Sequence, residues 1–232
     1  MQGRLIVFEG GEGGGKTTQL HRSHQWLIDS GWLALLQTRG FVRQVVMTRE
    51  PGGTDLGQGL RQILLGHIAQ EPICDRTELL LYAADRAQHV EGFLRPLLAN
   101  GALILCDRYT DSTIAYQGYG RGLDRTLIDQ LNHIATNGLQ SDLTVWLDLD
   151  ADLGLARTQK RGASDRIEQA DQAFHHRVRQ GFAALAQQHT SRIVRVDASL
   201  SEEDVSAQIQ KQLSAAFVRW YGVDLRNPDS QS

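Results

Sequence analysis

The segment Gly10-Gly11-Glu12-Gly13-Gly14-Gly15-Lys16-Thr17 constrains this chain more than any other. It fits the pattern G-x-x-x-x-G-K-[ST] and directly follows a short apolar run, Arg4 to Glu9. Glycines there let backbone N–H groups turn inward around phosphate oxygens. A helix starting near Lys16 would point the positive end of its dipole at the same anion. Lys16 is then in reach of the β and γ phosphates, and the Thr17 hydroxyl can ligate Mg²⁺. Residues 10–17 are therefore expected to bind a nucleoside triphosphate. A dinucleotide site is excluded, because no G-x-G-x-x-G follows this strand.

The rest of the chain reads as strands alternating with helices. Strands are expected at Arg4–Glu9, Val45–Thr48, Ala102–Asp107, Leu143–Asp148 and Arg192–Asp197. Helices are expected at Lys16–Ser30, Leu56–Leu65, Asp75–Asn100 with Asp75 as cap, Asp124–Asn137, Ala170–Gln188 and Glu202–Trp220. Runs such as Ala-Leu-Ile-Leu-Cys-Asp show little alternation, as in parallel strands covered on both faces. The expected fold is thus α/β: a P-loop NTPase-type five-stranded parallel sheet flanked by helices, with a helical lid segment. No linker or repeat is visible, so residues 1–220 are expected to form one domain, followed by a polar tail over 221–232.

Composition narrows the class further. With 232 residues, 41% hydrophobic and 22% charged, the chain has too much apolar content for disorder. A net charge of −3 argues against nucleic acid as the partner. No apolar run reaches the length of a membrane span, and the opening residues do not read as a signal peptide, so a cytoplasmic location is expected. Cys74 and Cys106 lack metal-ligand spacing, and His21 with His24 lacks a third ligand. None of the three lysines follows an asparagine, so the N-K-x-D guanine reader of a regulatory GTPase is missing. A small-molecule kinase fits the size.

Further segments sharpen that reading. They are Thr48-Arg49-Glu50-Pro51-Gly52-Gly53-Thr54, Leu81-Tyr82-Ala83-Ala84-Asp85-Arg86-Ala87-Gln88-His89, Asp107-Arg108-Tyr109 with Ser112 and Ala115-Tyr116-Gln117-Gly118, and Asp165-Arg166-Ile167-Glu168. Together with Phe8-Glu9-Gly10 and the glycine loop, the set resembles the bacterial thymidylate kinases, in order, from about residue 4 to about residue 200. The resemblance implies phosphorylation of dTMP to dTDP by ATP and Mg²⁺, on a five-stranded parallel sheet, usually in a homodimer. It implies that Arg49 and Arg108 grip the acceptor phosphate, that Tyr82 stacks on thymine and that Arg86 hydrogen-bonds the base. Tyr116 would crowd a ribose 2′ position, and Glu12 would contact the sugar 3′-OH. Many members carry Phe where this chain has Tyr82.

The residues themselves are consistent with those roles. Asp107 ends a strand, where it can hold Mg²⁺ through water, although a helix-capping role would also place an Asp there. Arg49 and Arg108 lie just past strand ends, and guanidinium forks suit a phosphate dianion. Tyr82 and Arg86 are four apart on one helix face; Thr113 and Gln117 have the same spacing and can read a base edge. The basic stretch Arg157 to Arg166 reads as a mobile lid, with Gly162 as pivot. Because the glycine loop carries no arginine, Arg161 is expected to supply the catalytic charge, by resemblance to the bacterial branch, with Arg157 and Arg166 as the other candidates. Leu33 to Gln44 looks about ten residues longer than the family pattern and is expected to be a surface insertion. Two other functions remain open: a kinase for another monophosphate, such as dUMP or UMP, or a nucleotide-binding regulator that is not a kinase.

Overall fold

Five buried or half-buried strands set the frame: β1 Arg4–Glu9, β2 Gln44–Arg49, β3 Ala102–Asp107, β4 Leu143–Asp148 and β5 Ile193–Asp197. The computed structural model describes residues 3–66, 71–162 and 165–225, with Arg161 described by its backbone alone. All neighbouring strands pair in parallel, in the order β2-β3-β1-β4-β5. Every residue of β3 and β4 is buried, which is why these runs carry no polar alternation. The register aligns Asp107 with both Phe8 and Arg49. Glu9, Arg49 and Asp107 therefore emerge together at the carboxyl edge of the sheet, where open α/β folds bind their ligands.

Helices cover both faces. On one side α1 (Lys16–Asp29) and α10 (Glu202–Tyr221) pack Leu20, Leu27, Leu213 and Phe217 against Ile6, Phe8 and Val145. On the other side the long helix after Cys74 packs Val90, Leu94 and Leu98 on Leu5, Val7 and Ile104. That helix runs as α4 (Asp75–His89), a π-turn over Val90–Leu94, and α5 (Arg95–Ala99). Arg95 N–H donates to Val90 O, five residues back. The wider turn makes room for Pro96, which lacks an N–H and would crowd the carbonyl of residue 92 in a regular helix. The cap is Cys74 rather than Asp75, which occupies the first turn, where its charge faces the positive dipole end.

Several elements depart from expectation. A short helix, α2 (Trp32–Thr38), lies inside the supposed surface insertion. Trp32 and Leu36, four apart, and Val42 are buried in the main core, with Trp32 edge-on to Phe217. The segment is therefore anchored in the core through Leu36 and Val42, while its other residues are half-buried or exposed. Thr110–Thr113 forms a single helical turn, α6, which continues as a π-helix over Ile114–Gly120. The remaining helices are α3 (Asp55–Leu65), α7 (Arg125–Thr136), α8 (Ala151–Arg161) and α9 (Gln172–Gln188). Residues Tyr221 and Val223 pack on the core, so the polar tail begins later than 221; residues 226–232 lie outside those described.

One buried acid joins the sheet to the segment that follows β3. Glu9 accepts from Tyr109 N–H (2.8 Å), Ser112 N–H (3.1 Å) and Ser112 Oγ (2.5 Å). Burial, with Asp111 nearby, nevertheless raises its pKa to about 7. The folded state thus retains a proton that the unfolded chain releases near 4.5, so this group's contribution falls as pH rises from about 4.5 to about 7.

Two outcomes are expected. Leu36→Ala should lower unfolding free energy by about 2–5 kcal/mol in denaturant titration, as for a core leucine rather than a surface one. Glu9→Gln should flatten the decline in stability between pH 4.5 and 7, by up to ~1.4 kcal/mol per pH unit. A wild-type-to-variant difference that does not change with pH would contradict the assignment.

Candidate active site

The glycine loop closes on itself around Lys16. Lys16 Nζ donates to Gly10 O (3.1 Å) and Gly11 O (2.7 Å), and Gly15 caps α1 at φ 81°. Gly13 also has positive φ, and a Cβ there would lie 2.2 Å from Gly154 O. Only glycine lets the loop seat against the backbone of α8 this closely. Burial, and after it the nearby Arg108, lower the Lys16 pKa against the opposing pull of Glu12, Asp107 and Glu9, so a bound anion would favour the ammonium.

Arg108 packs against this loop from the end of β3. Its backbone is left-handed (φ 71°), which is uncommon for a side chain with a Cβ and typical of functional positions. This turn aims the guanidinium back at the loop. It donates to Gly10 O (3.1 Å), Ser112 Oγ (3.2 Å) and Glu12 Oε1 (2.7 Å), and it lies over the Tyr116 ring at 4.9 Å. Tyr116 Oη donates to the same Glu12 oxygen (2.6 Å). Burial alone would raise the Glu12 pKa, but Arg108 and Lys16 hold it down at about 2, so Glu12 stays charged.

Beside the loop, Thr17 Oγ1 donates to Asp107 Oδ2 (2.6 Å). A hydroxyl and a carboxylate in contact make a partial oxygen ligand set for a hard cation. Among the described residues no cluster of three or more His, Cys, Asp or Glu could hold a metal alone. The donors thus suit an ion whose other ligands are phosphate and water.

A cavity of about 360 Å³ extends from the loop to the α3–α4 side. Glu12 through Thr17, Arg49, Tyr82, Arg86, Asp107, Arg108, Thr113, Tyr116 and Gln117 all line it, so the structure gathers these expected site residues into one space. Gly10 and Gly11 lie behind it, holding Lys16. Arg157 also lines the cavity and donates to Ala198 O (3.1 Å). Arg166, by contrast, turns away to Leu64 O and Glu78. The Arg161 side chain lies outside the described residues.

Some residues were not anticipated. Arg61 lines the cavity and, among the described residues, donates to Pro51 O (3.1 Å); burial and Arg49 lower its pKa. Among the described residues neither Arg49 nor Arg61 has a carboxylate partner. Arg61 sits near the end of α3 with nothing in its local pattern to separate it from a surface arginine. Glu50 fixes Arg86: Arg86 Nε donates to Glu50 Oε2 (2.8 Å), and His89 Nδ1 meets Glu50 Oε1 (2.9 Å). Arg86 also donates to Thr113 Oγ1 (2.8 Å), Asn132 Oδ1 (2.8 Å) and Tyr109 O (3.0 Å). Four of its five N–H groups are thereby used, leaving one for a ligand. Glu78, Tyr82 and Arg86 recur every four residues, a spacing that places the buried Glu78 on the same helix face.

Comparison with known proteins agrees with this geometry. The thymidylate kinase family model matches residues 8–209. A thymidylate kinase of Cyanothece sp. is 59% identical over 228 residues, covering 95% of this chain and 97% of its own. The thymidylate kinases of Acaryochloris marina (56%, 95% and 100% covered) and Nostoc punctiforme (59%, 92% and 96% covered) are similar to a comparable degree. A match that spans the phosphate loop, the arginine wall and the base end of one cavity means that the chain belongs to the thymidylate kinase family.

Proposed function

We propose that this protein transfers the γ-phosphoryl group of ATP to the phosphate of dTMP, giving ADP and dTDP. The observation that carries this reading is the arginine wall. Among the described residues Arg49 and Arg61 lack carboxylate partners, and they line one cavity with Arg108, which itself rests against the phosphate loop. A phosphate dianion bound there would lie opposite the γ-phosphate held by Lys16 and the loop N–H groups.

The acceptor phosphate is already ionised, so no protein base is needed, and the residues act by position and charge. Arg49, Arg61 and Arg108 orient the attacking oxygen. Lys16 and the backbone amides of residues 13–17 hold the triphosphate. Thr17 and Asp107 would hold Mg²⁺, with Asp107 acting through water; bound there, the ion neutralises charge on the phosphate oxygens. Arg161, at the end of α8, supplies further positive charge, with Arg157 already at the cavity wall. Glu12 meets the sugar 3′-OH, and Tyr116, fixed by Glu12, crowds a 2′ substituent. Tyr82, its phenol kept neutral by burial and by Glu78, stacks on the base. The remaining N–H of Arg86 and the Thr113 hydroxyl, which accepts from Arg86, are the donors left for its carbonyl groups.

The protein is also proposed to be cytoplasmic and homodimeric, as the family resemblance implies, with ATP and dTMP as its ligands and no nucleic acid or membrane partner. No helix among the described residues is long and apolar enough to cross a membrane. Exposed Leu80 on α4 and Ile134 on α7, helices that pack together, offer apolar surface for a second copy.

Release of ADP with dTMP, dUMP, UMP, dCMP or AMP as acceptor tests the reading. We expect dTMP to give the highest kcat/KM and UMP a value lower by about 10²-fold, the scale of a clashing group in a fitted site. Equal values for the two would remove Tyr116 from its role. Acceptor-independent hydrolysis would point to a regulator instead. Arg108→Ala should abolish detectable transfer while leaving ATP affinity within a few-fold of wild type. Loss of ATP affinity in a folded variant would place Arg108 on the donor side.

A further inference from the structure

Glu78 is completely buried on α4, outside the cavity lining, and the transfer chemistry makes no use of it. It lies four residues before Tyr82 and eight before Arg86, behind the base end of the site. Its Oε1 accepts from Gln117 Nε2 (2.9 Å) and Arg121 Nε (3.4 Å); its Oε2 accepts from Arg121 Nη2 (3.3 Å) and Arg166 Nη2. Burial would favour the neutral acid, but Gln117, Arg121 and Arg166 hold its pKa below the usual carboxylate range. Glu78 is therefore ionised at neutral pH.

An ionised carboxylate only accepts hydrogen bonds. Gln117 can meet it in one way, by turning its NH2 toward Glu78. The amide is then no longer free to flip, and its carbonyl oxygen is the polar end that remains for the cavity Gln117 lines. Gln117 is itself 2% exposed and sits on the π-helix Ile114–Gly120, so the backbone leaves it little freedom either.

We propose that Glu78 is a positioning residue for base selection: it locks the Gln117 amide so that the site presents a hydrogen-bond acceptor to the base edge. The site then takes a pyrimidine whose N3 carries a hydrogen, as in thymine, and rejects one whose N3 offers a lone pair, as in cytosine. This rests on the reading of the cavity as a dTMP site. Arg121 and Arg166 act one step further back, by keeping the lock charged. Arg166 also anchors residues 165–168 to the end of α3 through Leu64 O (2.9 Å), so the lock and the segment after α8 share one carboxylate.

Glu78→Gln in the full chain tests this, with steady-state kinetics on dTMP and dCMP and a melting curve. An amide at 78 can offer either an N–H or an oxygen, so Gln117 is released to present its own NH2. We expect the ratio of kcat/KM for dCMP to that for dTMP to rise at least ~10-fold, mainly through KM for dTMP, with kcat at saturating dTMP within about 3-fold. In a Gln117→Met background the same change should not move the ratio further, since Glu78 acts through Gln117. A parallel loss for both nucleotides at an unchanged ratio would show that Glu78 is structural only and would overturn the proposal. A wild-type ratio in Gln117→Met would do the same. Should Glu78→Gln fail to fold, Glu78→Gln with Arg166→Gln removes a charge of each sign, and the same ratio decides. Absence of dTMP-dependent ADP release in the wild type would instead count against the dTMP reading itself.

Discussion

The site depends on one partly desolvated guanidinium. Arg108 is half-buried at the carboxyl edge of the sheet, on a left-handed residue, between the glycine loop and the segment after β3. Taking such a charge out of water is expensive unless it is paired and hydrogen-bonded. Glu12 supplies the charge, while Gly10 O and Ser112 Oγ supply two of the remaining acceptors. Each of those partners is held in turn: Glu12 by Tyr116, Ser112 by Glu9, and Gly10 by Lys16. The loop, the start of α6 and the π-helix are thereby bound into one polar unit.

This unit is balanced only in part. Arg108 with Glu12 and Arg86 with Glu50 are neutral pairs. Lys16, Arg49 and Arg61 add positive charge to the same cavity; burial first, and a neighbouring arginine second, lower the pKa values of Lys16 and Arg61. Preorganised positive charge in a confined space is what phosphoryl transfer requires, because the dipoles need not reorganise as the reaction proceeds. The base end follows a different rule. There the charges are compensated by Glu50 and Glu78, and what remains is an arrangement of donors and an acceptor.

Much of this was legible in the sequence. The strands Ala102–Asp107 and Leu143–Asp148 coincide with their expected limits, because a strand buried on both faces is a continuous apolar run that ends where the acid begins. The residues around the cavity were legible because phosphate chemistry demands particular side chains at particular spacings. What was not legible depends on contacts distant in the chain. Thr110–Gly120 is polar, aromatic and glycine-bearing, and it is helical because α9 packs against it: a Cβ at Gly181 would clash with Tyr119. The helix Trp32–Thr38 was hidden because the extra length of Leu33 to Gln44 reads as a surface insertion. Its buried ones, Trp32 and Leu36, are explained only by Phe217 and the neighbouring core. Glu78 is marked in the sequence only by its four-residue spacing from Tyr82, and its partners Gln117, Arg121 and Arg166 lie far away in the chain.

The central claim is that a wall of arginines beside the phosphate loop is built for the phosphate of an acceptor nucleotide. Calorimetric titration with dTMP and with thymidine, in the absence of ATP, tests it most directly. The two ligands share base and sugar and differ only in the group the arginines would hold. Loss of charge-assisted hydrogen bonds of this kind should weaken thymidine relative to dTMP by at least ~10²-fold. Affinities within a few-fold of each other would contradict the account.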